Sequence, residues 1–246
     1  MKLTVIGGTG LIGSQVVEKL TAAGHHATPA ALSTGVDLLT GQGLDQALSG
    51  AEAVINLANS PTFDEASLDF FRTSMTNLLT AGEKAGVRHQ VILSIVGVDQ
   101  VPDLDYYRAK ALQEELLQSG PTPYSIVRAT QFFEFVDAVL SWTSDESSVR
   151  LPATPIQPIA AADVVDAVVD VATGTPLLGI RNIAGPDVFT LDELGKVTLA
   201  AQQDARTVVR DEQAGMFAAV KGDVLIAGLD AHLASTHYAD WIRTKR

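Results

Sequence analysis

Apolar positions in the first half of the chain switch between two spacings. Leu3 to Ile6 is a short apolar run that stops at glycines, and Ser14 to Ala23 then carries Val16, Val17 and Leu20 at helical spacing before Gly24. This predicts a strand, a tight turn and a helix. The alternation repeats: a strand over Ala27 to Leu32, a short helix over Gly43 to Leu48, a strand over Ala53 to Leu57, and a helix over Phe70 to Ala85 closed by Gly86. Gln90 to Val96 is apolar apart from Gln90 and Ser94, the pattern of a strand with helices on both faces. A helix over Tyr106 to Gln118 and a strand over Tyr124 to Arg128 complete the series. Strands alternating with helices imply an α/β fold with a doubly wound parallel sheet.

The regularity weakens after Phe135, where residues 141–160 contain Pro152, Pro155 and Pro158 among small polar residues. A helix is predicted over Asp163 to Ala172 with Asp163 as its N-cap. Another over Thr190 to Gln202 is introduced by Thr190-Leu-Asp-Glu193 in capping-box spacing. The chain of 246 residues is expected to be a single domain, 1–246, in which residues 136–160 and 180–246 build a small C-terminal lid on the substrate side.

The turn after the first strand reads Gly7-Gly8-Thr9-Gly10-Leu11-Ile12-Gly13. Glycines let backbone approach a pyrophosphate, and the helix behind them offers unpaired N–H groups and a partial positive charge. A glycine turn with a structural role alone is the competing explanation, but the flanking strand and helix favour a Rossmann-type dinucleotide site. Gly7, Thr9, Gly10, Leu11, Ile12 and Gly13 are the candidate phosphate-binding residues.

The G-x-x-G-x-x-G spacing resembles the extended and atypical short-chain dehydrogenase/reductases. Asn77-Leu-Leu-Thr-Ala-Gly-Glu-Lys-Ala-Gly-Val-Arg-His89, the strand that ends in Ser94, and Ile126-Val-Arg-Ala-Thr-Gln-Phe-Phe-Glu134 are similar to NmrA-like NAD(P)-binding members. The resemblance implies Asp37 and Leu38 at the adenine, Ala58 and Asn59 along the cofactor, and Thr130 to Phe132 near the nicotinamide. It also implies hydride transfer assisted by a tyrosine, a lysine and a serine.

Tyr106 and Lys110 are four apart on a predicted helix and share one face; Tyr107 pairs with Ala111. Ser94 closes the preceding strand, where parallel sheets bind ligands. The resemblance assigns Tyr106 to proton transfer, Lys110 to lowering the pKa of Tyr106 and holding the nicotinamide ribose, and Ser94 to a hydrogen bond on the reacting oxygen. It adds Asn77 as a proton-relay group. A Tyr and Lys four apart also arise as an ordinary surface pair. Phe132, Phe133, Phe135 and Trp142 form an aromatic wall for a planar substrate or part of the core, and Glu134 is either a pocket group or exposed.

At the end of the second strand, Ala30-Ala31-Leu32-Ser33-Thr34-Gly35 carries neither the acidic residue typical of NAD sites nor a base for a 2′-phosphate. Lys19 is the one Lys or Arg between Leu3 and Phe71. NAD(H) is therefore expected over NADP(H), with Ser33 near the adenosine ribose. The net charge of −12 opposes nucleic acid and anionic membranes. The absence of cysteine excludes disulfides, zinc thiolates and cysteine nucleophiles, and no His cluster has metal-ligand spacing. With Met1-Lys2 leading into a strand and no apolar run of membrane-spanning length, a cytoplasmic monomer or homodimer is expected. The alanine-rich composition suits a high-GC bacterium and its secondary metabolism.

The expected activity is NAD(P)-dependent hydride transfer to or from a small carbonyl, alcohol or quinone-like aromatic substrate. A dinucleotide-sensing regulator without turnover is the alternative. A cofactor-assisted isomerase, an epimerase or an auxiliary of aromatic hydroxylation is the third.

Overall fold

The structure, a computed structural model, describes residues 1–245; Arg246, the last residue of the expected lid segment, lies outside them. The first half runs β1 (Lys2–Ile6), α1 (Leu11–Ala22), β2 (His26–Ala30), α2 (Leu44–Leu48), β3 (Ala53–Asn56), α3 (Ala66–Lys84), β4 (His89–Ile95), α4 (Asp105–Gln118) and β5 (Tyr124–Ala129). The second runs α5 (Val136–Trp142), β6 (Ser148–Leu151), β7 (Pro155–Ile156), α6 (Ala161–Thr173), β8 (Gly179–Ala184), β9 (Phe189–Thr190), α7 (Leu191–Gln202), β10 (Thr207–Arg210), β11 (His232–Leu233) and α8 (Tyr238–Arg243). A seven-stranded sheet in the order β11-β8-β5-β4-β3-β1-β2 carries the fold, which is the expected Rossmann-type α/β architecture.

The chain divides into two compact units, residues 1–128 with 164–181, and residues 129–163 with 182–246. In the first, register explains where a ligand can sit. Ile6 pairs with Ala30 and Asn56, and Asn56 with Ile92, all in parallel. Gly7, Ala31, Leu57 and Leu93 therefore all stand just beyond one level of the sheet, toward its carboxyl edge, and Ser94 is the next residue along β4. The strands are largely apolar where helices cover both faces: Leu3, Val5, Val54, Ile55, Val91 and Ile92 are all buried, and the buried Thr4 donates its hydroxyl to Ala47 O at 2.7 Å. On α1, Ile12, Val16 and Leu20 recur every four residues and are buried, the helical stripe that the sequence predicts.

Some boundaries differ from the periodicity. Helix α1 begins at Leu11, within the glycine turn, and α3 at Ala66, in a short stretch of small and polar residues. The second strand stops at Ala30, and Leu32–Thr34 form a 3₁₀ turn closed by Gly35 at φ 83°.

His89 lies at the opposite edge of the sheet, buried, with Nε2 2.8 Å from Ser125 Oγ. Ser125 Oγ also accepts the Leu177 N–H at 2.9 Å. Burial holds the His89 pKa below its ordinary 6.5. The unfolded chain then binds the proton more readily, so this contribution is complete above about pH 6.5 and is lost as pH falls through the lowered folded value. Thermal melts of the wild type should fall from about pH 7 to about pH 5, by at most about 1.4 kcal/mol per pH unit for this proton, and His89→Asn should flatten that slope. An equally steep slope in the variant would contradict the assignment.

The second unit holds a parallel pair β6/β10 and an antiparallel pair β7/β9. The Thr190–Glu193 capping box forms at α7 as the sequence predicts. Helix α8 docks through Tyr238, fully buried, whose Oη meets Thr198 Oγ1 at 2.7 Å and whose ring lies against Phe133 and Trp241. Asp163 is not an N-cap. Helix α6 begins two residues earlier, at Ala161, and the Ala161 N–H is taken by Glu134 Oε2 at 3.1 Å, a carboxylate from a distant segment at a helix N-terminus.

Candidate active site

Each glycine of the first turn answers a separate steric demand. Gly7 has φ 73°, and a Cβ there would lie 2.9 Å from the Leu57 carbonyl and the Ala58 amide. A Cβ on Gly8 would meet Val5 O at 2.6 Å, and one on Gly13 would meet Gly7 O at 2.1 Å. The Gly10 N–H closes the turn onto Gly7 O at 3.0 Å, and Gly10 caps α1 without a side chain. Ser14 donates to Gly10 O at 3.0 Å, so the amides of Leu11, Ile12 and Gly13 stand ahead of the helical ladder. A closed glycine cradle backed by these N–H groups fits a pyrophosphate.

Beside it, Ser33 Oγ lies 3.4 Å from Thr9 Oγ1, which ties the turn after β2 to the phosphate turn. The Thr34 hydroxyl is used within its own turn, accepting from Ala31 N at 2.9 Å and donating to Ala31 O at 3.0 Å. Asp37 is half-buried; its Oδ1 accepts the Leu39 N–H at 2.8 Å, and that bond holds its carboxyl below the usual range. The backbone of Leu38 and Leu39 is fastened by Asn77, whose Nδ2 donates to both carbonyls at 2.8 and 3.1 Å. Asn77 thus anchors the loop carrying Asp37 and Leu38.

At the other end of the carboxyl edge, Ser94 is buried and its Oγ has no hydrogen-bond partner. Burying a hydroxyl without a partner costs on the order of 1–3 kcal/mol, which marks the atom as awaiting a ligand. Tyr106 and Lys110 do share one face of α4, and both meet the buried ring of Phe71. The Tyr106 ring centre is 6.2 Å from that of Phe71, and Lys110 Nζ is 4.9 Å from it. Their polar atoms are engaged elsewhere: Tyr106 Oη donates to Asn59 Oδ1, and Lys110 Nζ donates to Leu93 O at 2.7 Å and to Gln113 Oε1. Burial pushes the Tyr106 phenol up to about 12 and pulls the Lys110 amine down to about 7, the latter against Glu114. In this arrangement Lys110 does not depress the Tyr106 pKa as expected; burial of the phenol prevails.

What surrounds Lys110 was not anticipated from the sequence. Gln113, Glu114 and Leu117 continue its buried face of α4, and Glu114 holds Arg128 on β5 through bonds of 2.9 and 2.6 Å. Arg128 within an apolar strand was a legible signal, since a buried guanidinium requires an acid. Ala58 donates its N–H to Asn56 Oδ1 at 3.1 Å, and Asn56 Nδ2 reaches Met75 Sδ at 3.2 Å.

A glycine cradle, a buried free hydroxyl and a Tyr/Lys pair thus stand in one unit of the chain, toward the carboxyl edge of its strands. Residues 7–174 match the model of a family described as NAD(P)H-binding. The chain belongs to the NAD(P)H-binding family. Within it, a curated (4-alkanoyl-5-oxo-2,5-dihydrofuran-3-yl)methyl phosphate reductase of Streptomyces griseus is 28% identical over 211 residues, 78% of this chain and 70% of the relative. Among solved structures, dTDP-4-dehydrorhamnose reductase of Bacillus anthracis in complex with NADP superposes with a TM-score of 0.78 at 18% identity, covering 99% of this chain and 98% of that one. A short-chain dehydrogenase/reductase superfamily protein of Agrobacterium tumefaciens with bound NAD gives 0.74 at 18% identity, covering 100% and 95%. These superpositions show that the chain shares the Rossmann-type fold of those proteins.

Of its remaining expected site residues, Thr130 and Phe132 lie in the second unit. Thr130 is buried, its N–H bound to Ile183 O at 3.2 Å and its Oγ1 unpartnered, while Phe132 bridges to Ile159. Phe133 is core, and Phe135 lies edge-on to Trp142 with ring centres 5.3 Å apart. Besides capping α6, Glu134 lines a cleft of about 600 Å³ with Asp137, Gln202, Gln203 and Trp241. Among the described residues no cluster of metal-ligating side chains occurs, and no helix is long and apolar enough to cross a membrane.

Proposed function

We propose that this NAD(P)H-binding protein is an oxidoreductase that moves hydride between NAD(H) and a small carbonyl, alcohol or quinone-like substrate. The observation that carries the reading is the buried, unpartnered hydroxyl of Ser94 at the carboxyl edge of the sheet, followed by Tyr106 and Lys110 on one face of α4. That the 28% identical relative is a reductase supports the reaction class. The bound dinucleotide supplies or accepts the hydride. Ser94 Oγ donates a hydrogen bond to the reacting oxygen, and Tyr106 Oη gives that oxygen its proton during reduction. Lys110 serves the ribose hydroxyls and brings positive charge toward Tyr106 once released from Leu93 O and Gln113. A panel of aldehydes, ketones and quinones, followed by loss of NADH absorbance, tests the reading; turnover with none of them counts against it.

Preference for NAD follows from the missing cation. Lys19, the one base between Leu3 and Phe71, is paired with Asp166, and the turn after β2 offers Ser33 and Thr34 where a 2′-phosphate calls for Arg or Lys. NADH is expected to bind at least about tenfold more tightly than NADPH, since charged hydrogen bonds to phosphate are worth roughly 1.5–3 kcal/mol. Titration of nicotinamide fluorescence with both cofactors measures this, and tighter NADPH binding would reverse the assignment.

A second reading, a regulator that binds the dinucleotide without turning it over, draws support from one feature. Tyr106 Oη and Lys110 Nζ are both bound to groups of the chain itself. Its expected result is cofactor binding with no turnover across the same panel.

A further inference from the structure

We propose that Asn59 is the positioning residue for Tyr106, holding the phenol in its protonated, proton-donating state; this rests on the oxidoreductase reading above. The orientation of the Asn59 amide is determined by chemistry. Its Oδ1 accepts the Ser60 N–H at 3.0 Å, and a backbone N–H can only donate, so the oxygen rather than the nitrogen faces Tyr106 Oη. An amide oxygen can only accept. The shared proton therefore belongs to Tyr106, and ionising the phenol would set an anion against lone pairs.

The loop that presents Asn59 is tied down. Ser67 Oγ on α3 lies 3.1 Å from Ser60 Oγ and donates to Thr62 O at 2.7 Å, and Ser60 Oγ accepts the Thr62 N–H at 3.3 Å. Ser60 and Ser67 are buried. Phe63, on the same loop, meets the Tyr106 ring edge-on at 4.9 Å. Residues 59–63 thus enclose the hydroxyl end of Tyr106 with one acceptor and one apolar ring. Charges nearby are otherwise occupied or exposed. Asp105 and Arg108 of α4 pair with each other, Lys110 is held by Leu93 and Gln113, and Asp64 Oδ1 accepts the Ala66 N–H. Glu65 on the loop and Asp69 and Arg72 on α3 are largely solvent-facing.

In reduction, the Tyr106 O–H bond breaks and its proton joins the substrate oxygen, while the carbonyl carbon receives hydride from the reduced dinucleotide. The phenolate left behind faces Asn59 Oδ1, is disfavoured there, and is reprotonated from solvent. Asn59 thus biases the free enzyme toward the acid form that reduction requires.

The test uses the whole protein with carbon-13-labelled tyrosine, following phenol ionisation by NMR without substrate; Tyr106→Phe identifies the Tyr106 signal among the four tyrosines. Asn59→Ala should lower the Tyr106 pKa by about one unit, the worth of one hydrogen bond, and Asn59→Asp should raise it by a similar amount through its charge. A residue with a merely structural role would not move the phenol in opposite directions. Asn59→Asp keeps the oxygen that Ser60 N–H requires, so it reads out even where alanine unsettles the loop. With an active substrate, the pH at which the rate of reduction declines should move with the phenol, down by about one unit in Asn59→Ala, with little change in the KM for NADH. No shift, a shift of one sign in both variants, or lost NADH affinity without a shift would overturn the proposal. Absence of wild-type turnover would sink the oxidoreductase reading and leave the tyrosine measurement standing.

Discussion

Tyr106→Phe is expected to lower kcat about 100- to 10,000-fold while NADH affinity and melting temperature stay close to wild type. The substitution removes one oxygen and keeps the ring, so the edge contact with Phe63 at 4.9 Å and the approach to Phe71 at 6.2 Å survive. What disappears is the proton donor and the bond to Asn59. Because burial holds the phenol at about 12, Tyr106 is protonated across the neutral range. Rates of reduction should not fall through Tyr106 deprotonation until well above about pH 10. Stopped-flow single turnovers with preformed enzyme–NADH complex separate the chemical step from cofactor binding. Full turnover in the variant would remove Tyr106 from the reaction.

The other large effect is expected at the phosphate turn. In Gly13→Ala the new methyl would stand 2.1 Å from Gly7 O and 2.8 Å from Gly8 Cα, both backbone atoms that cannot swing aside. The turn must open or α1 must back away, at a cost of roughly 1–3 kcal/mol. Either displacement moves the amides of Leu11 to Gly13 from the pyrophosphate position. NADH affinity should fall by about 100-fold or more, measured by calorimetry, with a lowered melting temperature. Gly24→Ala is the control. Gly24 has φ 83°, and a methyl added there would meet nothing within 4 Å, so alanine strains the backbone by about 1 kcal/mol without touching the turn. It should lower stability and leave NADH affinity unchanged. Equal affinity losses in both variants would mean that Gly13 acts through stability alone.

The candidate site was unevenly legible. Gly7, Gly10 and Gly13 could be read because strand, turn and helix are contiguous, so their chemistry sits within a dozen residues. The shared face of Tyr106 and Lys110 followed from helical spacing, and so did the capping box at Thr190. The anchoring bonds of Asn77 were not legible, because its partners, the carbonyls of Leu38 and Leu39, lie 39 and 38 residues away, and no local pattern announces a backbone acceptor. Asp163 was misread for a related reason: a cap-type residue near a helix start fits the local rule, yet Glu134 supplies the bond to Ala161 from 27 residues upstream.

By itself the sequence determined the α/β alternation, the glycine turn and its place before α1, the faces of the helices, and the shortage of cations beside the adenosine end. These rest on short-range sterics and on periodicity, which act between neighbours in the chain. Only the tertiary structure decided which atoms the reactive side chains hold. Tyr106 donates to Asn59 across 47 residues, Lys110 to Leu93 across 17, and Ser94 is left with no partner. Hydrogen bonds of buried polar groups are made with whatever the packing of distant segments brings within about 3 Å, and that proximity is a property of the folded sheet and its helices.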